Sequence, residues 1–142
     1  MLIYLDTCVF CRPFDETSNQ RIIQESNAVA QLVRRVDAGE FKIIGSTILL
    51  AEISLISSSI KQESVLLLVK DLSNCTAIPT DTIKELAIEL MGECAIDAMD
   101  ALHIAVAIEN KVELFITTDD VILNKTKCIS RYNIIVKNPC EV

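Results

Sequence analysis

Four acids occupy places where an acid is costly or conspicuous. Asp6 ends an apolar run, Glu52 and Asp100 interrupt otherwise apolar helical stretches, and Asp119 follows a second apolar run. An ionised carboxylate in such surroundings needs a cation, a metal or several hydrogen bonds, because desolvation alone costs on the order of several kcal/mol. No Lys or Arg lies within two helical turns before Asp100 or in the ten residues after it, so its partner comes from elsewhere in the fold or from a bound ion. Carboxylates gathered in one pocket raise each other's pKa and repel unless cations hold them. Oxygen-only donors suit Mg²⁺ or Mn²⁺ rather than zinc. One or two such ions can make water nucleophilic and stabilise the leaving oxygen of an in-line phosphodiester displacement.

The elements that must position these acids alternate between strand and helix. Residues 2–5 read as a strand with Asp6 and Thr7 at its C-terminal end, and a turn-rich loop follows over 11–19, where Pro13 keeps a helix from starting early. Apolar residues then recur at helical period from about Gln20 until Gly39. The same reading gives strands at 41–44, 76–78, 114–117 and 134–136. Helices fall at 47–57, carrying Glu52, at 60–72, from Thr80 as N-cap through Met91 with Gly92 at its end, at 98–108 and near 121–125. Asp97 is an N-cap for the helix that bears Asp100, and residues 139–142 read as a frayed tail. The alternation predicts an α/β fold, a three-layer α/β/α sandwich around a parallel sheet, as a single domain over 1–142. In such a sheet Asp6 and Asp119 share the edge at which ligands bind.

Composition narrows the function. With 142 residues, 51% of them hydrophobic, the chain can build a real core. No apolar run approaches the roughly 18 residues of a membrane-spanning helix, and Met1 leads into a strand without a basic leader, so the expected setting is the cytoplasm. Cys8, Cys11, Cys75, Cys94, Cys128 and Cys140 are then expected as reduced, mostly buried thiols. A net charge of −7 disfavours a generally basic nucleic-acid binder, an objection that bound divalent ions would weaken.

Four patches, Tyr4-Leu5-Asp6-Thr7, Leu50-Ala51-Glu52-Ile53, Asp100-Ala101-Leu102-His103-Ile104-Ala105 and Ile116-Thr117-Thr118-Asp119, together resemble the PIN domain family, whose members include VapC-type toxin ribonucleases. The resemblance spans nearly the whole chain. It implies a five-stranded parallel sheet and a metal-dependent endoribonuclease acting on RNA. Asp6, Asp100 and Asp119 would ligate Mg²⁺ or Mn²⁺ with Glu52 alongside, and Thr117 would orient a ligand or water. It also implies a possible antitoxin partner and, with so apolar a chain, a homodimer. Asp119 is followed here by Asp120-Val121-Ile122, which leaves open which of the two acids points inward.

Other readings stand beside these. A catalytically silent module that binds RNA or protein would share the fold. His103 reads as a hydrogen-bonded core histidine before a general base, and Arg12 and Arg21 read equally as phosphate contacts or ordinary surface arginines. Cys8-Val9-Phe10-Cys11 could be a redox pair, but an Arg-Pro loop follows it where a thiol-activating helix would be needed. A receiver domain lacks its acceptor acid at Ile78-Pro79, and a haloacid-dehalogenase-like phosphatase lacks its second acid at Cys8.

Overall fold

A computed structural model describes all residues, 1–142. Strands β1 (Leu2–Leu5), β2 (Lys42–Ser46), β3 (Ser73–Ala77), β4 (Leu114–Ile116) and β5 (Ile135–Lys137) form one sheet in the order β3-β2-β1-β4-β5, with every pair parallel. Strand β1 lies at the centre because Ile3, Tyr4 and Leu5 are apolar on both faces of the pleat and all are buried. Edge strand β3 is largely exposed. Gly45 lets it approach: a Cβ there would meet Ser73 Oγ at 2.9 Å, beside a register irregularity between Ile43 and Ile44.

Helices fill the crossovers: α1 (Thr7–Cys11) and α2 (Gln20–Asp37) between β1 and β2, and α3 (Thr47–Ile53) and α4 (Ser59–Leu72) between β2 and β3. Next come α5 (Asp81–Cys94) and α6 (Ala98–Glu109) before β4, and α7 (Asp120–Leu123) and α8 (Thr126–Ile129) before β5. The chain steps from β1 outward to β3, then jumps back across β1 to β4. Right-handed crossovers in opposite directions put helices on both faces of the sheet, and the reversal makes the carboxyl ends of β1 and β4 the switch point at which such sheets bind ligands. The expected layered α/β architecture with five parallel strands is what forms.

Several local expectations are corrected. Asp6 caps a short helix at Thr7–Cys11, where the sequence suggested no element, and Pro13 sits in a single 3₁₀ turn, Arg12–Phe14, that closes it. Helix α3 stops at Ile53 because Ser54 bonds back to the Ala51 carbonyl and Ser58 caps the next helix. Helix α5 runs through Gly92 and ends at Ala95, which takes the left-handed conformation at φ +53°. The tail is not frayed: Pro139–Glu141 forms a 3₁₀ turn closed by a capping box between Asn138 and Glu141. The cysteines differ as well. Cys94 and Cys128 are joined by a disulfide, since α5 packs on α8 and brings their Cα atoms to 5.7 Å despite a separation of 34 residues. Cys75 and Cys140 are exposed rather than buried. No helix is long and apolar enough to cross a membrane.

Candidate active site

Six polar or charged residues are buried: Asp6, Glu25, Ser46, His103, Thr117 and Thr118. All but Glu25 lie at or just past the carboxyl ends of β1, β2 and β4 or on the helix α6 beside them. The backbone N–H of Asp6 continues the ladder by donating to the Ile116 carbonyl at 2.9 Å. Its side chain is thereby fixed as the N-cap of α1, accepting the Thr7 N–H at 2.8 Å on Oδ1 and the Thr117 hydroxyl at 2.8 Å on Oδ2. Burial raises the Asp6 carboxyl above the ordinary range, only partly opposed by His103 and Thr117. Thr117 Oγ1 also accepts the Asp119 N–H at 3.0 Å, so one hydroxyl ties the first acid to the loop that carries the last.

Glu52 projects from α3. Its Oε1 accepts the Thr7 hydroxyl at 2.7 Å and touches His103 Nε2. Burial pushes this carboxyl up, but the hydrogen bonds from His103 and Thr7 outweigh it and hold Glu52 below its usual value. The His103 ring is fully enclosed, with Nδ1 at 2.6 Å from the Tyr4 hydroxyl and Nε2 at 3.9 Å from Asp6 Oδ1. Ligand atoms of Asp6, Glu52 and His103 all lie within 4.8 Å of one another.

Asp100 sits in the first turn of α6, where Asp97 caps the helix by accepting its N–H at 3.0 Å, as the sequence predicts. The Asp100 carboxylate makes no hydrogen bond or ion pair. Burial first, then the charges of Asp6, Asp97 and Asp119, push it up to about 7. Asp119, the N-cap of α7, contributes to this field, whereas Asp120 turns to Arg21 at 2.7 and 2.9 Å. Of the two adjacent acids, Asp120 is paired with an arginine and Asp119 is the one whose charge acts on Asp100.

No Lys or Arg pairs with Asp6, Glu52, Asp100 or Asp119; the lysine and arginine ion pairs of the molecule lie elsewhere, and His103 is the basic group that contacts Asp6 and Glu52. The carboxylates of Asp6 and Glu52 come within 4.8 Å of each other and of His103, which fits a hard divalent cation, while Asp100 and Asp119 stand outside that group and reach it through their charge. Arg12 and Arg21, the candidate phosphate contacts, are instead engaged by carboxylates of the fold. Arg12 binds Asp15 at 3.0 Å and Glu25 at 2.9 Å, and Arg21 binds Glu25 at 3.3 Å as well as Asp120. The Cys8 thiol does not have the low pKa of a redox cysteine: burial and the neighbouring Asp6 push it up to about 12.

Tyr4, Ser46 and Glu25 carry polar contacts that the sequence leaves unmarked. A tyrosine inside an apolar central strand is the available clue, because its hydroxyl must find a partner when buried. Its partners are His103 Nδ1 at 2.6 Å and Ser46 Oγ at 2.7 Å, and the Tyr4 ring stacks on Phe115 with 5.5 Å between centroids.

The comparisons agree with this fold. Among curated proteins none matches the chain. Two solved structures share the fold at 18% identity. VapBC2 from Rickettsia felis, bound to a DNA fragment from its promoter, has a TM-score of 0.65 over 97% of this chain and 98% of that one. FitAcB from Neisseria gonorrhoeae has a TM-score of 0.63 over 99% of each. The family model for the PIN domain matches residues 3–127, and the chain belongs to the PIN domain family.

Proposed function

We propose that the protein is a divalent-metal-dependent endoribonuclease, the toxin half of a toxin–antitoxin pair. The observation that carries this reading is the convergence of Asp6, Glu52, Asp100 and Asp119 at the β1/β4 edge with no lysine or arginine to neutralise them. Asp6, Asp100 and Asp119 would hold Mg²⁺ or Mn²⁺ through carboxylate oxygens, with Glu52 beside them. One or two such ions supply a lowered pKa for the attacking water and charge stabilisation for the in-line displacement at phosphorus. Thr117 keeps Asp6 oriented and fixes the backbone that leads to Asp119. Thr7 and His103 hold Glu52.

Phosphate contact falls to cations other than Arg12 and Arg21. Lys125, Lys127 and Arg131, with Asn124, Cys128 and Ser130, line a cavity of about 560 Å³, and none of the three has a carboxylate partner. They follow Asp119 in the chain and give an acidic protein a local basic surface for an RNA backbone. Leu55, Ile60 and Leu67 are exposed on α4 and the turn before it, an apolar surface that suits a second copy or a small antitoxin. The similarity to VapBC2 and FitAcB supports such a partner.

The test is cleavage of a mixed single-stranded RNA with and without Mn²⁺ by the wild type, Asp6→Asn and Asp100→Asn. Metal-dependent cleavage lost in both folded variants supports the enzyme. RNA bound but never cleaved would favour a silent binding module, and equal cleavage by all three would indicate a contaminating nuclease.

A further inference from the structure

His103 is the only histidine of the chain, and both of its ring nitrogens are engaged in the interior. A carboxylate can only accept a hydrogen bond, so the proton between His103 and Glu52 sits on Nε2 and is donated to Oε1. Nδ1 is then an acceptor and takes the Tyr4 hydroxyl proton at 2.6 Å. The Tyr4 oxygen in turn accepts from Ser46 Oγ at 2.7 Å, and Ser46 Oγ accepts the Leu49 N–H at 3.1 Å. Donors and acceptors match along this buried chain without remainder, from the cap of α3 through β1 to α6 and back to α3. The contacts on Glu52 are one-sided. Thr7 and His103 both bind Oε1, while Oε2 has no partner within the protein.

We infer that His103, braced by Tyr4 and Ser46, is a positioning residue that pins Glu52 through Oε1 and so aims Oε2 at the divalent ion or the water that it serves. The inference rests on the metal-dependent reading above. It assigns His103 no ligand role, because ligation through Nε2 would need that nitrogen unprotonated and the proton on Nδ1.

With a single histidine, the tautomer can be read directly from the ¹⁵N spectrum of the metal-free protein. A proton on Nε2 with Nδ1 as acceptor is expected; a proton on Nδ1 alone overturns the assignment. Calorimetric titration with Mn²⁺ alone is the second measurement. Loss of a group that orients a ligand weakens affinity by about 10- to 100-fold, and His103→Ala should lie in that range. His103→Gln, which keeps an N–H near the position of Nε2, should recover most of the affinity, and Tyr4→Phe should fall between. If His103→Gln binds no better than His103→Ala, positioning by the N–H is wrong. If the wild type binds Mn²⁺ and every variant matches it, this inference fails while the metal reading stands. If the wild type binds no Mn²⁺, both fail. Should His103→Ala not fold, the tautomer, His103→Gln and Tyr4→Phe decide the matter without it.

Discussion

Glu25 and Asp6 are both buried carboxylates, 2% and 5% exposed, and the fold surrounds them in opposite ways. Glu25 is held by Arg12 at 2.9 Å, Arg21 at 3.3 Å and the Asn138 amide at 2.5 Å. Asp15 and Asp120 bind the same two arginines, and Lys61 closes the network on Asp15 at 2.7 Å. Three cations meet three acids there. Asp6 has hydroxyl, amide and imidazole neighbours but shares its surroundings with Glu52, Asp100 and Asp119, so the negative charges are not balanced. A balanced buried network needs nothing further and acts as structure. An unbalanced one is relieved by taking up a proton or a cation, and it is there that a ligand is to be sought.

The sharpest way to break the comparison is to remove one charge from each side. Asp6→Asn or Asp100→Asn should lower RNA cleavage by about 1000-fold, equivalent to about 4 kcal/mol, with thermal stability unchanged or raised as repulsion is relieved. Glu25→Gln, the same chemical change, should leave the Mn²⁺-dependent turnover of the folded fraction nearly unaltered. The stability effect is reversed. Glu25→Ala removes the buried acid and leaves Arg12 with Asp15 alone, which should cost about 3 kcal/mol in urea unfolding, the lower end for a broken buried pair because both arginines keep a second acid and Arg21 is half exposed.

The basic cavity is the third kind of cluster, cations without acids. Replacing Lys125, Lys127 and Arg131 with alanine should raise KM by about tenfold, or 1.4 kcal/mol, and leave kcat alone. The salt dependence of RNA binding should flatten by roughly two in logarithmic slope. An unchanged slope would place the RNA elsewhere.

The smallest effect is on pH dependence. Asp100 has a folded pKa of about 7, well above the 3.8 of an unperturbed aspartate. Its protonated form therefore favours the fold. That contribution is complete below the unfolded pKa and is lost as the pH rises through about 7. Asp100 is half exposed, so solvent screening keeps the loss under about 1 kcal/mol. Urea midpoints of the metal-free protein at pH 5 and pH 8.5 should differ more for the wild type than for Asp100→Asn. With saturating Mn²⁺ the trend should invert, because binding requires the ionised carboxylate.

The four acids could be picked out in the sequence because each contradicts its local pattern: a charge inside an apolar run makes sense only if distant groups resolve it. The strands and longer helices followed from periodicity for the same local reason. What stayed hidden depends on partners far apart in the chain. Glu25 lies on an amphipathic helix and looks solvated until Arg12 and Asn138 reach it across 13 and 113 residues. The Cys94–Cys128 pair and the Tyr4–His103 contact arise only once helices dock. Short helices such as Thr7–Cys11 escape notice because one cap, not a periodic face, creates them. That Asp120 is taken up by Arg21, a residue about a hundred positions away, is likewise invisible in the sequence.

The strand order carries a consequence for synthesis. Strand β1 is made first and stands in the middle of the sheet, yet the neighbour that brings Thr117 and Asp119 to it is β4. A nascent chain that has not released Asp119 from the ribosomal exit tunnel has three of the four acids and no strand to complete the switch point. If the domain cuts RNA, the message from which it is being translated meets a harmless polypeptide until that late strand has emerged.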